Sequence, residues 1–263
     1  MQTVDLYDYL YVQTGGKGIS LSGNLRYIPY NQSNLVYRAA EAFYQSAGLT
    51  PEVRIYLQKH IPIQAGMGGG SGNAAGILWG LNEIYGRPLD DKRLYDICLT
   101  LGSDVPYFLT GGTALCEGRG EIITPLADIP DCYFVLVKDK QGVSTKDAFA
   151  DIDGCKNPPS FVCDAMLDAV EQGSIKGICE SLGNTFTPSA RTRAASIDAN
   201  IKELSTFTDY VQMTGSGSVV FGIFTDKQQA KDCLEALRRR HLFVCMTRPV
   251  KTGMILLKKE QEE

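Results

Sequence analysis

The sequence predicts an α+β fold made of two packed units, and two observations carry that prediction. In the first half, a β-like run at residues 53–57 leads into a glycine-rich stretch at 61–75 and a helical run at 74–85. At the end of the first half, an apolar strand near 133–137 precedes the helices, two strands, helix and strand of the second half, which is the order of a ferredoxin-like sandwich. No internal repeat or low-complexity linker separates the halves, so we expect a packed junction near 140–155.

Turn and cap residues punctuate the elements of the first half. Alternating apolar residues predict strands between Val4 and Tyr11 and over residues 18–21. Ser33 or Asn34 can cap a helix that ends at Gly48. The elements expected to follow are a strand at 52–58, helices at 74–85 and 90–101, and strands at 113–117, 121–125 and 133–137.

The second half is richer in helix, and we divide the chain between residues 143 and 144. Residues 1–143 form the first predicted domain and residues 144–263 the second. The elements expected in the second half are helices at 145–150, 160–171, 174–182, 188–205 and 227–240, and strands at 209–213, 219–224, 242–250 and 253–258.

Composition indicates a globular protein of the cytoplasm. The 263 residues are 44% hydrophobic and 21% charged, and no apolar run approaches the roughly 20 residues that span a bilayer. The net charge of −4 gives no sign of a nucleic-acid surface. The eight cysteines form no Cys-x-x-Cys pair, which favours reduced, buried thiols over a secreted disulfide framework. With two histidines, a histidine-based metal site is not expected.

Residues 61–72, the glycine loop, predict a phosphate site. Five of these residues are glycines, and each glycine costs backbone entropy on folding, so a packed core would not use so many. An ordinary turn between a strand and a helix needs one or two. A glycine loop that feeds a helix offers unpaired N–H groups and the positive end of the helix dipole, which together suit an anion.

The spacing of the glycines leaves one alternative open. The Gly-x4-Gly-Lys-Ser/Thr phosphate motif does not occur in the chain. Gly70-x-Gly72-x-x-Ala75 fits a dinucleotide fingerprint and therefore keeps a nicotinamide-dependent dehydrogenase as a remote alternative. Asp90 lies near the distance expected of the ribose-binding acid, but in a turn before a helix rather than at the end of a second parallel strand.

Asp104 is the candidate catalytic base. It lies between Gly102 and Pro106, where the carboxylate is free of regular structure, and phosphoryl transfer to an alcohol needs a group that accepts the hydroxyl proton. Seen alone, Asp104 would be read as a cap or turn residue. The loop at 214–218 is by itself a hairpin turn, but paired with the glycine loop it could close a nucleotide cleft from the other domain. The segment at 142–146 is first a helix cap and second a phosphate contact.

Two basic residues, Lys59 and Arg119, flank the loops that would form this cleft. We expect both to be surface charges.

Four motifs carry a resemblance to a known family: Lys59-x-Ile61-Pro62-x3-Gly66-Met67-Gly68-Gly69-Gly70-Ser71, Leu101-Gly102-Ser103-Asp104-Val105-Pro106-Tyr107-Phe108, Gly118-Arg119-Gly120-Glu121 and Thr214-Gly215-Ser216-Gly217. Together they resemble the GHMP-superfamily small-molecule kinases over essentially the whole chain. Within that superfamily, the triple glycine and the Leu-Gly-Ser-Asp-Val-Pro run are similar to those of the kinases that phosphorylate the 2-hydroxyl of a diphosphocytidyl sugar alcohol in the non-mevalonate isoprenoid pathway.

The resemblance implies a fold, a donor and a set of site residues. The fold would combine an N-terminal domain like ribosomal protein S5 with a C-terminal ferredoxin-like sandwich, in a monomer or weak homodimer. Asp104 would be the base, and ATP with Mg²⁺ would be used, with no dedicated metal ligands. ATP would contact Pro62, Ile63, Gln64, Ala65, Gly66, Met67, Gly68, Gly69, Gly70, Ser71 and Gly72. The substrate would contact Lys59, Ser144, Thr145, Lys146, Gly215, Ser216 and Gly217.

Two departures from the family pattern have consequences. The family's loop usually continues Gly-Gly-Gly-Ser-Ser, whereas the last position here is Gly72, so we expect ATP binding weaker by roughly 1–3 kcal/mol for one charge-assisted hydrogen bond. The family also begins with a hairpin that carries a catalytic lysine and a Gly-Tyr-His segment. We expect Met1 to be a misplaced start or an expression boundary, with that hairpin encoded upstream; otherwise the chain would be an impaired, nucleotide-binding remnant.

Overall fold

The first half of the chain folds around a mixed β-sheet. The structure is a computed structural model that describes residues 1–161 and 163–257. The elements of this half are, in chain order, β1 (Tyr9–Thr14), β2 (Gly18–Gly23), α1 (Leu35–Ala47), β3 (Glu52–Gln58), α2 (Gly69–Ile84), α3 (Asp91–Leu101), α4 (Tyr107–Thr110), β4 (Ala114–Glu117) and β5 (Ile122–Pro125).

Strand β3 is the centre of this sheet, whose order is β1-β3-β2. It runs antiparallel to β1 and parallel to β2. Alternation along β3 buries Val53, Ile55 and Leu57 on one face, where they join one core with the apolar faces of α1 and α2. The glycine loop connects β3 to α2, so the core that fixes these two elements also fixes both ends of the loop.

Helix α1 forms as its cap signals predict. The Asn34 side chain accepts a hydrogen bond from the Val36 N–H, and Gly48 ends the helix in the left-handed conformation at a φ of 67°. Asn34 at the start and glycine at the end are the residues that satisfy orphan backbone groups at the two ends of a helix.

The second half forms the predicted ferredoxin-like sandwich. Its sheet has the order β7-β8-β6-β9, with antiparallel pairing throughout. The elements are β6 (Tyr133–Lys138), α5 (Thr145–Asp153), α6 (Asp164–Glu171), α7 (Ile175–Glu180), α8 (Thr187–Arg193), α9 (Ser196–Leu204), β7 (Val211–Met213), β8 (Val220–Phe224), α10 (Lys227–Arg238) and β9 (Phe243–Thr247).

Strand β6 pairs with β8 and β9, although the predicted division at residues 143/144 places it in the first domain. From this pairing we infer that the boundary between the two units falls before Tyr133. The halves are nevertheless joined: the Thr3 N–H donates to Gly112, and the Val250 N–H donates back to Thr3.

Three predicted strand regions differ from the structure. Between Val4 and Asp8 the described backbone makes an isolated bridge at Val4 and no continuous strand. Residues 253–257 form no strand. At Gly253 the backbone instead packs closely against Phe108, since a Cβ added there would lie 2.3 Å from the Phe108 carbonyl oxygen. The last position of that predicted strand, residue 258, lies outside the described residues, as does residue 162.

Two helices and the cysteines also differ from expectation. Helix α2 begins at Gly69, five residues earlier than predicted, and the predicted helix at 188–205 is divided into α8 and α9 by extended backbone at Ala194. All eight cysteines are free, but Cys155 and Cys163 are exposed, so the prediction that every cysteine is buried is wrong for these two.

No helix among residues 1–161 and 163–257 is long and apolar enough to cross a membrane.

Candidate active site

A cleft of about 2640 Å³ lies between the two halves and collects most of the predicted site residues. Its walls include Lys59, Asp104 and the whole glycine loop from the first half. The second half contributes Thr145 and the loop residues Gly215 and Ser216. The remaining predicted residues, which lie next to these but do not line the cleft, are Ser144, Lys146 and Gly217.

Two glycines of the loop are required by packing within the protein. Gly66 and Gly68 have φ angles of 70° and 62°, a region that favours glycine. A Cβ added to Gly66 would lie 2.1 Å from the Thr214 carbonyl oxygen, and one added to Gly68 would lie 2.7 Å from the Phe108 ring. These two glycines therefore let the backbone turn and let neighbouring segments approach.

Gly70 has a different environment from its neighbours. It is exposed in the first turn of α2, and the nearest atom to an added Cβ would be Leu35 Cδ1 at 3.8 Å. N–H groups in the first turn of a helix have no partner within the helix and lie at its positive end. The surface at Gly70 is thus open backbone that faces the cleft, the arrangement an anion such as phosphate needs.

Asp104 lies half-buried in the turn between α3 and α4, and its carboxylate also faces the cleft. Burial raises its pKa above the ordinary value of 3.8. Within the described ranges, no side chain pairs with it or donates a hydrogen bond to it. Gly120 packs beside it, since an added Cβ there would lie 3.2 Å from Asp104 Oδ1. A carboxylate with a raised pKa and open oxygens is suited to accept a proton.

Lys59 is not the surface charge that the sequence predicts. Its side chain is 5% exposed and forms an ion pair with Asp8, whose side chain is 1% exposed. The Lys59 ammonium also donates to Asn73 Oδ1 at 3.0 Å. Burial lowers the pKa of Lys59, and the Asp8 carboxylate opposes that shift. Arg119, in contrast, is exposed at the edge of the cleft as expected.

The second half meets the glycine loop directly. Thr214 Oγ1 donates to the Gly66 carbonyl at 3.0 Å, and the Val219 N–H donates to the Ala65 carbonyl at 3.2 Å. Nearby, the Thr145 and Ser216 hydroxyls lie 3.1 Å apart. Ser144 caps α5 by accepting from the Asp147 N–H, so its predicted helix-capping role is confirmed.

Sequence reasoning missed an aromatic pair in the cleft. Phe149 on α5 and Phe186 stack edge to face with ring centroids 4.9 Å apart, and both line the cleft. Phe149 is 53% exposed. An exposed phenylalanine beside polar loop residues is a signal for a flat ligand, but neither position stands out without the fold that brings them together. Asp8 and Asn73 were missed for the same reason.

The chain resembles known proteins along most of its length. The family GHMP kinases N terminal domain matches residues 34–112, and GHMP kinases C terminal matches residues 166–242. Two solved kinases share the fold without close sequence similarity. Homoserine kinase from Cytophaga hutchinsonii has a TM-score of 0.77 and 17% identity, over 96% of this chain and 89% of that one. L. major mevalonate kinase has a TM-score of 0.71 and 12% identity, over 94% of this chain and 88% of that one. The fold and the cleft thus define a GHMP-type small-molecule kinase.

More similar relatives narrow the assignment. The 4-diphosphocytidyl-2-C-methyl-D-erythritol kinase of Clostridium tetani is 35% identical over 95% of this chain and 90% of the relative. That of Clostridium beijerinckii is 36% identical with the same coverage. A crystal structure of 4-(cytidine 5'-diphospho)-2C-methyl-D-erythritol kinase has a TM-score of 0.76 at 30% identity, over 94% of this chain and 87% of that one. The chain belongs to the 4-diphosphocytidyl-2-C-methyl-D-erythritol kinase family.

The predicted class of enzyme, a small-molecule kinase, is therefore confirmed. The dinucleotide fingerprint at Gly70 was misleading: Gly70 and Gly72 lie inside the first turns of α2, and the relatives are kinases. Neither the dehydrogenase nor the remnant is favoured over the kinase by these similarities.

Proposed function

We propose that this chain transfers the terminal phosphoryl group of ATP to the 2-hydroxyl of 4-diphosphocytidyl-2-C-methyl-D-erythritol. The observation that carries the proposal is that one cleft contains both the open first turn of α2 at Gly70 and the half-buried carboxylate of Asp104. The first feature suits the phosphates of a nucleotide and the second suits proton transfer from an alcohol. The substrate is the one for which the Clostridium relatives are named.

The glycine loop binds the phosphates of ATP in this proposal. Backbone N–H groups near Gly70 and the positive end of α2 hold negative charge in place, and they do so without reorganising as charge shifts during transfer. Gly72 lacks the hydroxyl usual in the family, which leaves the Ser71 hydroxyl, also at the cleft wall, as the side-chain partner.

Asp104 accepts the hydroxyl proton of the substrate. As the substrate oxygen bonds to the terminal phosphorus, the bond from that phosphorus to the oxygen of ADP breaks, and the proton of the attacking hydroxyl moves to Asp104. Because its pKa is raised, the Asp104 carboxylate is a stronger base than an ordinary aspartate, which favours the proton transfer.

The second half binds the cytidyl substrate. Phe149 exposes a flat ring to the cleft, and a nucleobase can stack on such a ring. The paired hydroxyls of Thr145 and Ser216 line the same cleft and offer hydrogen bonds to sugar or diphosphate oxygens.

Magnesium completes the proposal. Within residues 1–161 and 163–257 no cluster of His, Cys, Asp or Glu could hold a metal by itself, and Mg²⁺ commonly binds through substrate phosphates and one or two protein oxygens. The Ser71 hydroxyl, which lies at the cleft wall beside the open turn of α2, could supply one such oxygen. When bound, the ion would neutralise charge on the phosphates of ATP.

Cellular location and assembly belong to the same proposal. The free cysteines fit a reducing compartment, so we place the protein in the cytoplasm. A monomer or weak homodimer is what the family resemblance implies.

A comparison of alcohol substrates tests the proposed function. The purified chain is incubated with ATP, Mg²⁺ and one alcohol at a time: the cytidyl alcohol, mevalonate or homoserine. We expect ADP release and a new phosphate monoester signal in ³¹P NMR with the cytidyl alcohol, and a kcat/KM at least ~10²-fold lower for the others. A higher kcat/KM for mevalonate or homoserine would contradict the substrate assignment. ATP binding without turnover of any alcohol would contradict catalysis.

A further inference from the structure

Asp8, Lys59 and Asn73 form a closed hydrogen-bonded cluster beneath the glycine loop, called the Asp8 cluster below. Asp8 Oδ2 accepts from the Lys59 ammonium and from Asn73 Nδ2, the latter at 2.9 Å. Asp8 Oδ1 accepts from the backbone N–H groups of His60 and Ile61 at 2.7 and 2.9 Å. One carboxylate thus accepts four hydrogen bonds, and Lys59 and Asn73 are joined to each other as well.

These bonds reach both ends of the glycine loop. His60 and Ile61 lie where the chain leaves β3 and enters the loop, whereas Asn73 lies in the second turn of α2, just after the loop. Asp8 itself comes from a third segment, immediately before β1. The loop between Ile61 and Asn73 is therefore closed at its base by a side chain that is distant in sequence.

We propose that Asp8 is a positioning residue that holds the two ends of the glycine loop in the arrangement that accepts the phosphates of ATP. This inference rests on the proposed function and adds to it residues that do not touch the reacting atoms. A buried polar network whose members are all satisfied specifies one arrangement, and a partly satisfied one is costly.

Packing shows how the cluster controls the loop. A Cβ added to Gly69, the first residue of α2, would lie 3.0 Å from Lys59 Nζ and 2.9 Å from Ile61 Cγ2. The ammonium thus lies directly against the backbone of the turn that precedes Gly70. A shift of Lys59 or of the Ile61 backbone would move the N–H groups proposed to bind phosphate.

The cluster acts through geometry rather than through free charge. Lys59 is paired with a carboxylate that is itself almost completely buried, so the pair is close to neutral when seen from the cleft. The ion pair also makes each partner dependent on the other, because removing one leaves an uncompensated buried charge.

Three variants test the positioning role by calorimetric titration with ATP. Asp8→Asn leaves the Lys59 charge unpaired, and Asn73→Ala cuts the link to α2 while the ion pair remains. We expect each to raise the Kd for ATP at least tenfold, with kcat at saturating ATP within a factor of a few of the parent. Asn82→Ala is the matched control: Asn82 is also a buried asparagine of α2, bonded twice to Leu89, but at the other end of the helix. It should lower the melting temperature and leave the Kd for ATP within twofold.

An exchanged pair provides the rescue. In Asp8→Asn/Asn73→Asp, the amide at position 8 can still accept from the His60 and Ile61 N–H groups and donate to the new carboxylate, which pairs with Lys59. We expect the Kd for ATP to return to within threefold of the parent. Hydrogen exchange of the amides at 61–72 should be faster in Asp8→Asn and slow again in the exchanged pair.

The outcomes separate this inference from the proposed function. If the parent does not bind ATP, the proposed function fails first. If the parent binds ATP and the folded Asp8→Asn and Asn73→Ala proteins bind it equally well, the positioning role is overturned. Should Asp8→Asn fail to fold, Asn73→Ala against Asn82→Ala decides the question. A folded exchanged pair that still binds ATP weakly would also overturn the inference, because the hydrogen bonds between the two ends of the loop would then be present without restoring the affinity for ATP.

Discussion

Asp104 shows how a single residue can be placed for chemistry at the expense of stability. Its carboxylate is half-buried, faces the cleft and, within the described part of the chain, has no hydrogen-bond donor. The sequence indicated the position, because Gly102 and Pro106 frame it outside regular structure. The sequence could not indicate the burial, which depends on Gly120 and the cleft.

Asp104→Asn tests the base. We expect turnover to fall by about 10²–10⁴-fold, the range for loss of a general base, while the Kd for ATP changes little. Steady-state kinetics and calorimetry measure the two effects. Asp96→Asn, which replaces an exposed acid of α3, is the control. Turnover within a factor of a few of the parent would show that Asp104 is not the base.

The same substitution should make the protein more stable at neutral pH. A carboxyl whose pKa is raised in the folded state binds its proton more tightly when folded than when unfolded. The folded protein therefore loses stability as pH rises from 3.8 through the raised pKa, because Asp104 ionises less readily in the folded state than in the unfolded state. Below pH 3.8 the carboxyl is protonated in both states, and this destabilisation disappears. We expect Asp104→Asn to melt above the parent at pH 7 and together with it near pH 3.5. A difference that does not change with pH would contradict the burial argument.

At the scale of an element, the glycine loop and α2 show what sequence reasoning can and cannot supply. The cluster of glycines predicted the loop, but the expectation that all of them serve phosphate is too simple. Gly66 and Gly68 are explained by left-handed backbone and close neighbours, whereas Gly70 is helical and open. Telling these roles apart requires Thr214 and Phe108, which come from distant parts of the chain.

Alanine substitutions separate the two kinds of glycine. Gly70→Ala should weaken ATP binding at least tenfold, since a methyl group would cover the open backbone, and stability should stay equal or rise by up to about 1 kcal/mol. Gly66→Ala should lower stability by about 1–3 kcal/mol or more, from strained backbone and the clash with Thr214. Gly154→Ala, at the end of α5 and outside the cleft wall, is the control that keeps ATP affinity, since an added Cβ there would lie no nearer than 3.4 Å to another atom. Calorimetry and thermal melting measure these effects; unchanged affinity in Gly70→Ala would refute the phosphate assignment.

His241 ties three elements of the second half together. Its ring nitrogens lie 2.8 Å from Glu203 on α9 and 3.2 Å from Asp139 at the end of β6. His241→Leu should lower the free energy of unfolding by about 1–3 kcal/mol, because it removes partners from two partly buried carboxylates. Urea denaturation measures this, with exposed Leu242→Ala as the control. A loss no larger than in the control would mean that these contacts contribute little.

At the scale of the whole molecule, the sequence predicted the order of elements better than their partnerships. The ferredoxin-like order was visible because each element has its own apolar pattern, and the sheet formed as that order implies. Two features depend on long-range pairing, which local patterns do not encode. One is the pairing of β6 with β9, which assigns β6 to the second unit, and the other is the hydrogen bond from the Val250 N–H to Thr3 near the start of the chain. The cleft arises from this pairing, so its aromatic wall could not be predicted either.

Because the two halves contribute different walls, their variants should affect different substrates. Phe149→Ala removes the exposed ring of the second half, and we expect the KM for the cytidyl alcohol to rise at least tenfold, as stacking on one base is worth about 1–3 kcal/mol. The KM for ATP should change by less than twofold, since the glycine loop is untouched. Phe161→Ala is the matched control: Phe161 is 50% exposed, close to the 53% of Phe149, but does not line the cleft. Initial rates with each substrate varied in turn decide the matter. A rise in the KM for ATP instead would place the adenine, rather than the cytosine, against this ring, and would reverse the assignment of substrates to the two halves.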